Sequence, residues 1–129
     1  MVYTISIMEH KSLAVWALRA GLAFAFLYPA IASLIAPSDW IGFSPHAVRE
    51  IFGAERFLFF FSFVEILIGV GILFLHRPLV PAIAAIGVLS AVLSFNLGSL
   101  DLVFRDVSML GMAAALIALT VNPHTFPRI

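Results

Sequence analysis

Four long apolar runs, separated by short polar breaks, dominate the chain. The runs cover residues 12–36, 57–75, 79–98 and 101–121. Each is close to the ~20 residues that an α-helix needs to cross a hydrocarbon core ~30 Å thick. The pattern therefore predicts four membrane-spanning helices, which account for most of the chain.

Proline marks three of the boundaries of these predicted helices. Pro37 follows the first apolar run, Pro78 precedes the third, and Pro123 follows the fourth. Proline lacks the backbone N–H and disfavours helix at the residue before it, so it is typical of helix ends and helix starts. Because short connections make consecutive helices antiparallel, the sequence predicts an all-α, antiparallel four-helix bundle in the membrane, with residues 1–129 as one transmembrane domain.

The first connection, residues 37–56, is longer than the others. From Pro45 onward, apolar positions such as Val48 and Ile51 recur at helical spacing among charged ones. A short amphipathic helix of this kind lies flat at the membrane interface, and Trp40 suits the headgroup level. We interpret the segment as an interfacial anchor, with a lid over one mouth of the bundle as the alternative.

The composition excludes a water-soluble domain. Apolar residues make up 63% of the chain and charged residues 11%, and the mean hydropathy is +1.13. Soluble domains carry about a quarter charged residues. The seven basic and seven acidic residues cancel, so the chain lacks the basic excess of a nucleic-acid binder. The absence of cysteine excludes disulfides and thiolate metal sites.

The distribution of basic residues predicts an orientation. With both termini on one side, Lys11, Arg19, Arg77 and Arg128 lie toward that side, and the other three arginines lie toward the opposite side. Positive charge is favoured on the cytoplasmic side, so we expect cytoplasmic termini and a plasma (inner) membrane location. Residues 30–32 imitate a signal-peptide cleavage site, but Arg19 interrupts the preceding apolar stretch, and we interpret the first run as a retained span.

Four ionisable residues interrupt the apolar runs: Arg19, Glu65, Arg105 and Asp106. Such groups are costly in lipid, so we expect them to face the bundle interior and find partners there. Counting 1.5 Å per residue along antiparallel helices places Arg19 and Glu65 within about 7 Å of each other in depth. The sequence therefore predicts a buried polar network of these four residues, with an Arg19–Glu65 pair. Arg105 or Asp106 is expected to meet Glu65 or the first connection.

Two roles fit such a network. It fixes the register of the helices, or it forms a polar site in which Glu65 handles a proton or a polar headgroup. Burial favours the neutral carboxyl and a nearby arginine favours the carboxylate, so the sequence leaves both roles open. Ser90, Ser94 and Asn96 add a polar stripe to the third helix. We expect them to hydrogen-bond between helices, and the lining of a quinone or lipid pocket is the alternative.

The histidines do not form a ligand pair within the predicted bundle. His10, His46, His76 and His124 all fall at or beyond the helix ends. A membrane haem held by two imidazoles needs both at similar depth between the helices. The sequence therefore predicts neither haem nor a metal site.

Three parts of the chain resemble the DoxX family. They are residues 18–24 (LRAGLAF) with 26–30 (FLYPA) in the first helix, 65–69 (EILIG) in the second, and 104–107 (FRDV) at the start of the fourth. Their order and spacing extend the resemblance over most of the chain. Ser33 stands where many relatives carry a lysine, so no function of that lysine carries over.

The resemblance implies a four-helix integral membrane protein. Some DoxX relatives are small subunits of thiosulfate:quinone oxidoreductases or associate with other redox enzymes. We therefore expect a non-catalytic accessory or anchor subunit of a quinone-linked redox system, packed in the bilayer against itself or a redox partner, with quinone or lipid as the candidate ligand. Two alternatives stay open: a small proton-coupled transporter or permease that uses Glu65, and a lipid-binding or assembly factor.

Overall fold

The computed structural model describes residues 2–43 and 46–121, and the side chains of residues 12–42, 49–98 and 104–121. All secondary-structure elements within these residues are helices, which confirms the all-α class. The helices are α1 (Val2–Ile35), α2 (Pro37–Trp40), α3 (His46–Phe52), α4 (Ala54–Phe74), α5 (Leu79–Phe95) and α6 (Leu100–Val121). Single 3-10 turns lie at Ile41–Phe43 and Leu97–Ser99. Asn122 and Pro123, expected to end the last helix, lie outside the described residues.

Three segments are long and apolar enough to cross a membrane: Ser12–Ile35 of α1, Ala54–Phe74, which is all of α4, and Phe104–Val121 of α6. In their most apolar stretches only 33%, 28% and 22% of the residues are buried. The remaining apolar side chains face outward, which is unfavourable in water and acceptable in hydrocarbon. These helices correspond to the first, second and fourth predicted spans and support a transmembrane protein.

The helix of the third predicted span, 79–98, is shorter than expected. α5 ends at Phe95 after 17 residues, a rise of about 25 Å. The side-chain amide of Asn96 donates to the Val92 carbonyl at 2.8 Å, and the backbone then enters the 3-10 turn. Asparagine offers the backbone a local alternative to continued helix, which explains why α5 ends before residue 98.

α1 packs more extensively against α4 than against any other helix. Arg19 of α1 contacts Ile72 of α4, and Ser33 further along α1 contacts Ser62. Residue numbers rise along α1 as they fall along α4, so these two helices are antiparallel. Gly53, with a φ of 81°, makes the turn between α3 and α4, at a backbone conformation that other residues rarely adopt.

Two glycines, Gly69 and Gly71, allow α4 to pack closely against α1 and α5. A Cβ atom at Gly69 would lie 2.7 Å from Leu27 Cγ of α1, and one at Gly71 would lie 3.0 Å from Pro81 Cβ of α5. α5 also packs against α6, and α6 against α1, so each long helix contacts two others. In lipid, small residues at such contacts allow the van der Waals packing that holds helices together.

The buried core draws on all four long helices. Its members are Leu22, Ala23, Phe26, Ile68, Ile72, Ala82, Ala85, Leu89, Met109, Ala113 and Leu116. Large apolar side chains are also common on the outside, where Phe59, Phe60 and Phe104 are mostly exposed. The buried and the exposed faces of the described helices therefore have similar polarity, as expected for helices surrounded by lipid.

Candidate functional site

Arg19 is the most deeply buried of the four predicted charged residues, with 4% of its surface exposed. Its Nε donates to the Ile72 carbonyl at 2.7 Å, and a terminal nitrogen donates to the Leu73 carbonyl at 3.2 Å. That nitrogen also donates to the Leu75 carbonyl. The guanidinium carbon lies 4.6 Å from the ring centre of Trp16, a cation–π contact within α1.

These bonds place Arg19 at the C-terminal end of α4. The last carbonyl groups of a helix have no N–H partner within it. The chain leaves α4 at Leu75, whose backbone is extended and whose N–H bonds to Gly71. Arg19 supplies donors to the unpaired carbonyls, and its charge lies at the negative end of the helix dipole. It therefore caps α4 from a neighbouring helix.

The structure brings Arg19 to this helix end, about two turns along α4 from Glu65. Side chains lean toward the N-terminus of their own helix. Since α1 and α4 are antiparallel, Arg19 leans toward the C-terminal end of α4, whereas Glu65 leans toward its N-terminal end. Their similar depth, on which the predicted pair was based, does not bring the two side chains together.

Glu65 has its electrostatic neighbours on α6. Its carboxyl group is half-buried and interacts with the charges of Asp106 and Arg105. Asp106 is also half-buried and interacts with Arg105, whose side chain is exposed. Three of the four predicted charges thus form one group, which we call the α4–α6 acidic cluster: Glu65, Arg105 and Asp106. Arg19 forms a separate structure at the end of α4.

Acidic groups outnumber basic ones in the α4–α6 acidic cluster. The two carboxylates repel each other in apolar surroundings, and one exposed arginine, Arg105, is the nearby positive charge for both. Uptake of a proton or a cation lowers the cost of holding them there. The arrangement is therefore chemically capable of proton or cation exchange, whereas the Arg19 cap has its donors bonded to backbone oxygens.

The polar residues at the end of α5 form side-chain hydrogen bonds to backbone carbonyls four residues earlier. The Ser94 hydroxyl donates to the Ser90 carbonyl at 2.7 Å, and the Asn96 amide donates to the Val92 carbonyl. Ser90 and Ser94 are exposed, and Asn96 is half-buried. These hydrogen bonds lie within α5, where bonds to another helix were expected. Ser and Asn commonly bond to carbonyls one turn back in their own helix.

A buried polar contact missed by sequence analysis joins Ser33 and Ser62. The two hydroxyl oxygens lie 2.6 Å apart, and the Ser33 hydroxyl also contacts the Ala30 carbonyl at 2.9 Å. Both residues are buried between α1 and α4. From the sequence, Ser33 is notable only because many DoxX relatives carry a lysine at this position. The signal that could have found the contact is a serine near the facing end of each of two antiparallel spans.

A groove opens beside this contact, where α1 ends and α4 begins. Its volume is about 450 Å³. Ser33, Leu34 and Pro37 line it from the α1 side, and Glu55, Arg56 and Phe59 line it from α4. Glu55 and Arg56 are exposed on the first turn of α4. The groove therefore combines an apolar wall with one charge of each sign.

Among the residues whose side chains are described, no group of three or more His, Asp or Glu side chains is placed to hold a metal ion. His76 is exposed between α4 and α5, and His124 lies outside the described residues. No family model, no curated protein and no solved structure matches the chain. Inferences about function therefore depend on the residues and their contacts.

Proposed function

We propose that this chain is a DoxX-like integral membrane protein that acts as a non-catalytic accessory or anchor subunit of a quinone-linked redox system. Its four long helices would form an antiparallel bundle in the plasma (inner) membrane, with α5 as the fourth span. The contacts of each long helix with two others support this architecture. The outward-facing apolar side chains support a lipid environment.

The observation that supports the anchor role most directly is the set of hydrogen bonds from Arg19 to the backbone of α4. This residue belongs to the first of the DoxX-like segments, and its side chain donates hydrogen bonds to the backbone of α4. Gly69, in the second DoxX-like segment, permits the close approach of Leu27. Arg19 and Gly69, both within the DoxX-like segments, therefore contribute to helix packing, as expected of a scaffold whose chemistry is performed by a partner.

The test compares membranes from cells with and without the chain. We expect quinone reduction by the deletion membranes to fall, because the redox enzyme loses its anchor, and we expect that enzyme to co-purify with the tagged wild-type chain. Glu65→Gln should restore the activity as well as wild type does, because the anchor role needs no proton exchange. Unchanged quinone reduction together with purification of the chain alone would contradict the proposal.

A proton-coupled transporter is the second candidate, and the α4–α6 acidic cluster favours it. Arg19 is engaged at the end of α4, so the carboxyl of Glu65 is left with Asp106 and Arg105 as its charged neighbours. A carboxyl group near a second carboxyl group within a span is the arrangement typical of proton relays.

This second candidate is tested by proton flux into liposomes containing the purified chain, driven by a potassium gradient and valinomycin. It predicts flux that is lost in Glu65→Gln and retained in Glu55→Gln, which changes an exposed carboxylate on the first turn of α4. Equal flux in both variants would eliminate Glu65 as the proton-carrying group of a transporter. Failure of Glu65→Gln to restore quinone reduction would favour it over the anchor.

A further inference from the structure

We propose that the groove between α1 and α4 binds the headgroup of a zwitterionic phospholipid that carries a primary amine. The site consists of Arg56 and Glu55 at the rim and Phe59 on the apolar wall. This inference concerns a different part of the molecule from the proposed anchor role and does not depend on it.

The depth of the groove matches the headgroup region. α4 has 21 residues, a rise of about 31 Å, which is close to the ~30 Å thickness of the hydrocarbon core. Glu55 and Arg56 lie on its first turn and therefore at the boundary between hydrocarbon and headgroups. α1 ends nearby at Ile35 and α2 begins at Pro37, so the groove opens at this boundary.

The two rim charges match the two charges of the headgroup. Arg56 offers several N–H donors to phosphate oxygens, and Glu55 accepts hydrogen bonds from an ammonium group. Adjacent residues on a helix point about 100° apart, so these side chains reach different parts of one ligand. A primary ammonium has N–H groups to donate, whereas the quaternary ammonium of a choline headgroup has none.

The apolar wall continues from the rim into the hydrocarbon depth. Phe59 follows Glu55 by four residues, and Phe63 follows Phe59 by four, so the three lie along one face of α4. Phe59 is 69% exposed and Phe63 is 55% exposed. An acyl chain attached to a headgroup at the rim would pack along these rings, which a free phosphate compound cannot do.

The inference is tested by native mass spectrometry of the full chain in mild detergent. Phosphatidylethanolamine, phosphatidylcholine and phosphatidylglycerol with identical acyl chains are titrated separately. We expect phosphatidylethanolamine to be retained about fivefold more strongly than the other two, as appropriate for one additional charge-assisted contact. Equal retention of all three lipids would overturn the proposal, because it would indicate unspecific annular lipid.

Two variants separate the roles of the rim charges. Arg56→Gln should lower retention of all three phospholipids, whereas Glu55→Gln should remove only the preference for the amine. Arg77→Gln is the matched control, because Arg77 is an exposed arginine in the connection between α4 and α5. An effect of Arg77→Gln as large as that of Arg56→Gln would contradict the site.

Competition distinguishes a lipid from a soluble phosphate compound. Inorganic phosphate or phosphoethanolamine at millimolar concentration should leave phosphatidylethanolamine bound, because neither has an acyl chain to pack on Phe59. Displacement of the lipid by either compound would overturn the lipid proposal. The comparison of lipids on the wild-type chain needs no variant, so it remains decisive if Arg56→Gln does not fold.

Discussion

Arg19 and Glu65 are both ionisable residues within long apolar helices, and these two helices pack against each other. The surroundings of the two side chains nevertheless differ. Arg19 is almost fully buried and donates hydrogen bonds to backbone oxygens at the end of α4. Glu65 is half-buried, and its neighbours are another carboxyl group and an exposed arginine. A buried charge that donates hydrogen bonds to the backbone supports the fold, whereas a carboxyl group beside a second carboxyl group retains the capacity to exchange a proton.

The largest loss of stability is expected when the Arg19 side chain that caps α4 is removed. Arg19→Met keeps an apolar stem but leaves the carbonyls at the end of α4 without donors. We expect the free energy of unfolding to fall by about 3 kcal/mol, measured by denaturation in mixed micelles. Arg77→Met, which changes an exposed arginine, is the control and should have little effect. Equal stability of the two variants would mean that Arg19 does not cap α4.

A smaller loss of stability is expected from a substitution at the α1–α4 contact that lies between the two charged regions. Gly69→Ala places a Cβ atom 2.7 Å from Leu27 Cγ, so either the Leu27 side chain or the two helices must shift. We expect a loss of about 2 kcal/mol, measured by the same denaturation.

Gly87→Ala is the matched substitution, because a Cβ atom there meets nothing within 4 Å. It should be neutral or stabilising by up to about 1 kcal/mol, since alanine favours helix over glycine. Similar losses in Gly69→Ala and Gly87→Ala would argue against close packing of α1 on α4.

The hydroxyl contact at the other end of the α1–α4 interface should contribute less. Ser62→Ala removes a buried partner of Ser33, and we expect a loss of about 1 kcal/mol in thermal unfolding. Ser94→Ala removes an exposed hydroxyl that bonds within its own helix, and its effect should stay below about 0.5 kcal/mol. A larger effect at Ser94 would indicate a role for that residue between helices.

The smallest effects are expected in double-mutant cycles, one within the α4–α6 acidic cluster and one between Glu65 and Arg19. Glu65→Gln and Asp106→Asn should be non-additive by about 0.5 kcal/mol or more, because each relieves the same repulsion. Glu65→Gln and Arg19→Lys should be additive within about 0.5 kcal/mol, because the two sites share no contact. Strong coupling between Glu65 and Arg19 would restore the single network that sequence analysis predicts.

Sequence analysis identified the helical class and three long apolar helices because uninterrupted apolar runs depend only on local composition. It did not identify the partner of Arg19, because the acceptors are backbone carbonyls, which every residue carries. The depths of Arg19 and Glu65 were also estimated from the helical rise alone. That estimate leaves out the tilt of each side chain toward the N-terminus of its own helix. The end of α5 was missed because the Asn96 amide ends the helix three residues before the apolar run ends.

The grouping of Glu65 with Asp106 and Arg105 was one of the possibilities left open by the sequence, since it depends on how the four long helices are arranged in space. The groove beside Ser33 was beyond sequence analysis for a related reason. Its walls come from residues about twenty positions apart along the chain, and only the turn through α2 and α3 brings them together.

The short length of α5 has a consequence for the lipid around the proposed bundle. A helix of about 25 Å is shorter than a hydrocarbon core of ~30 Å, and such a mismatch is met by local thinning of the bilayer. Thinning at the hairpin formed by α5 and α6 would draw water and headgroups toward the first turns of α6, where Arg105 and Asp106 lie. The membrane's own deformation would then hydrate one side of the acidic cluster.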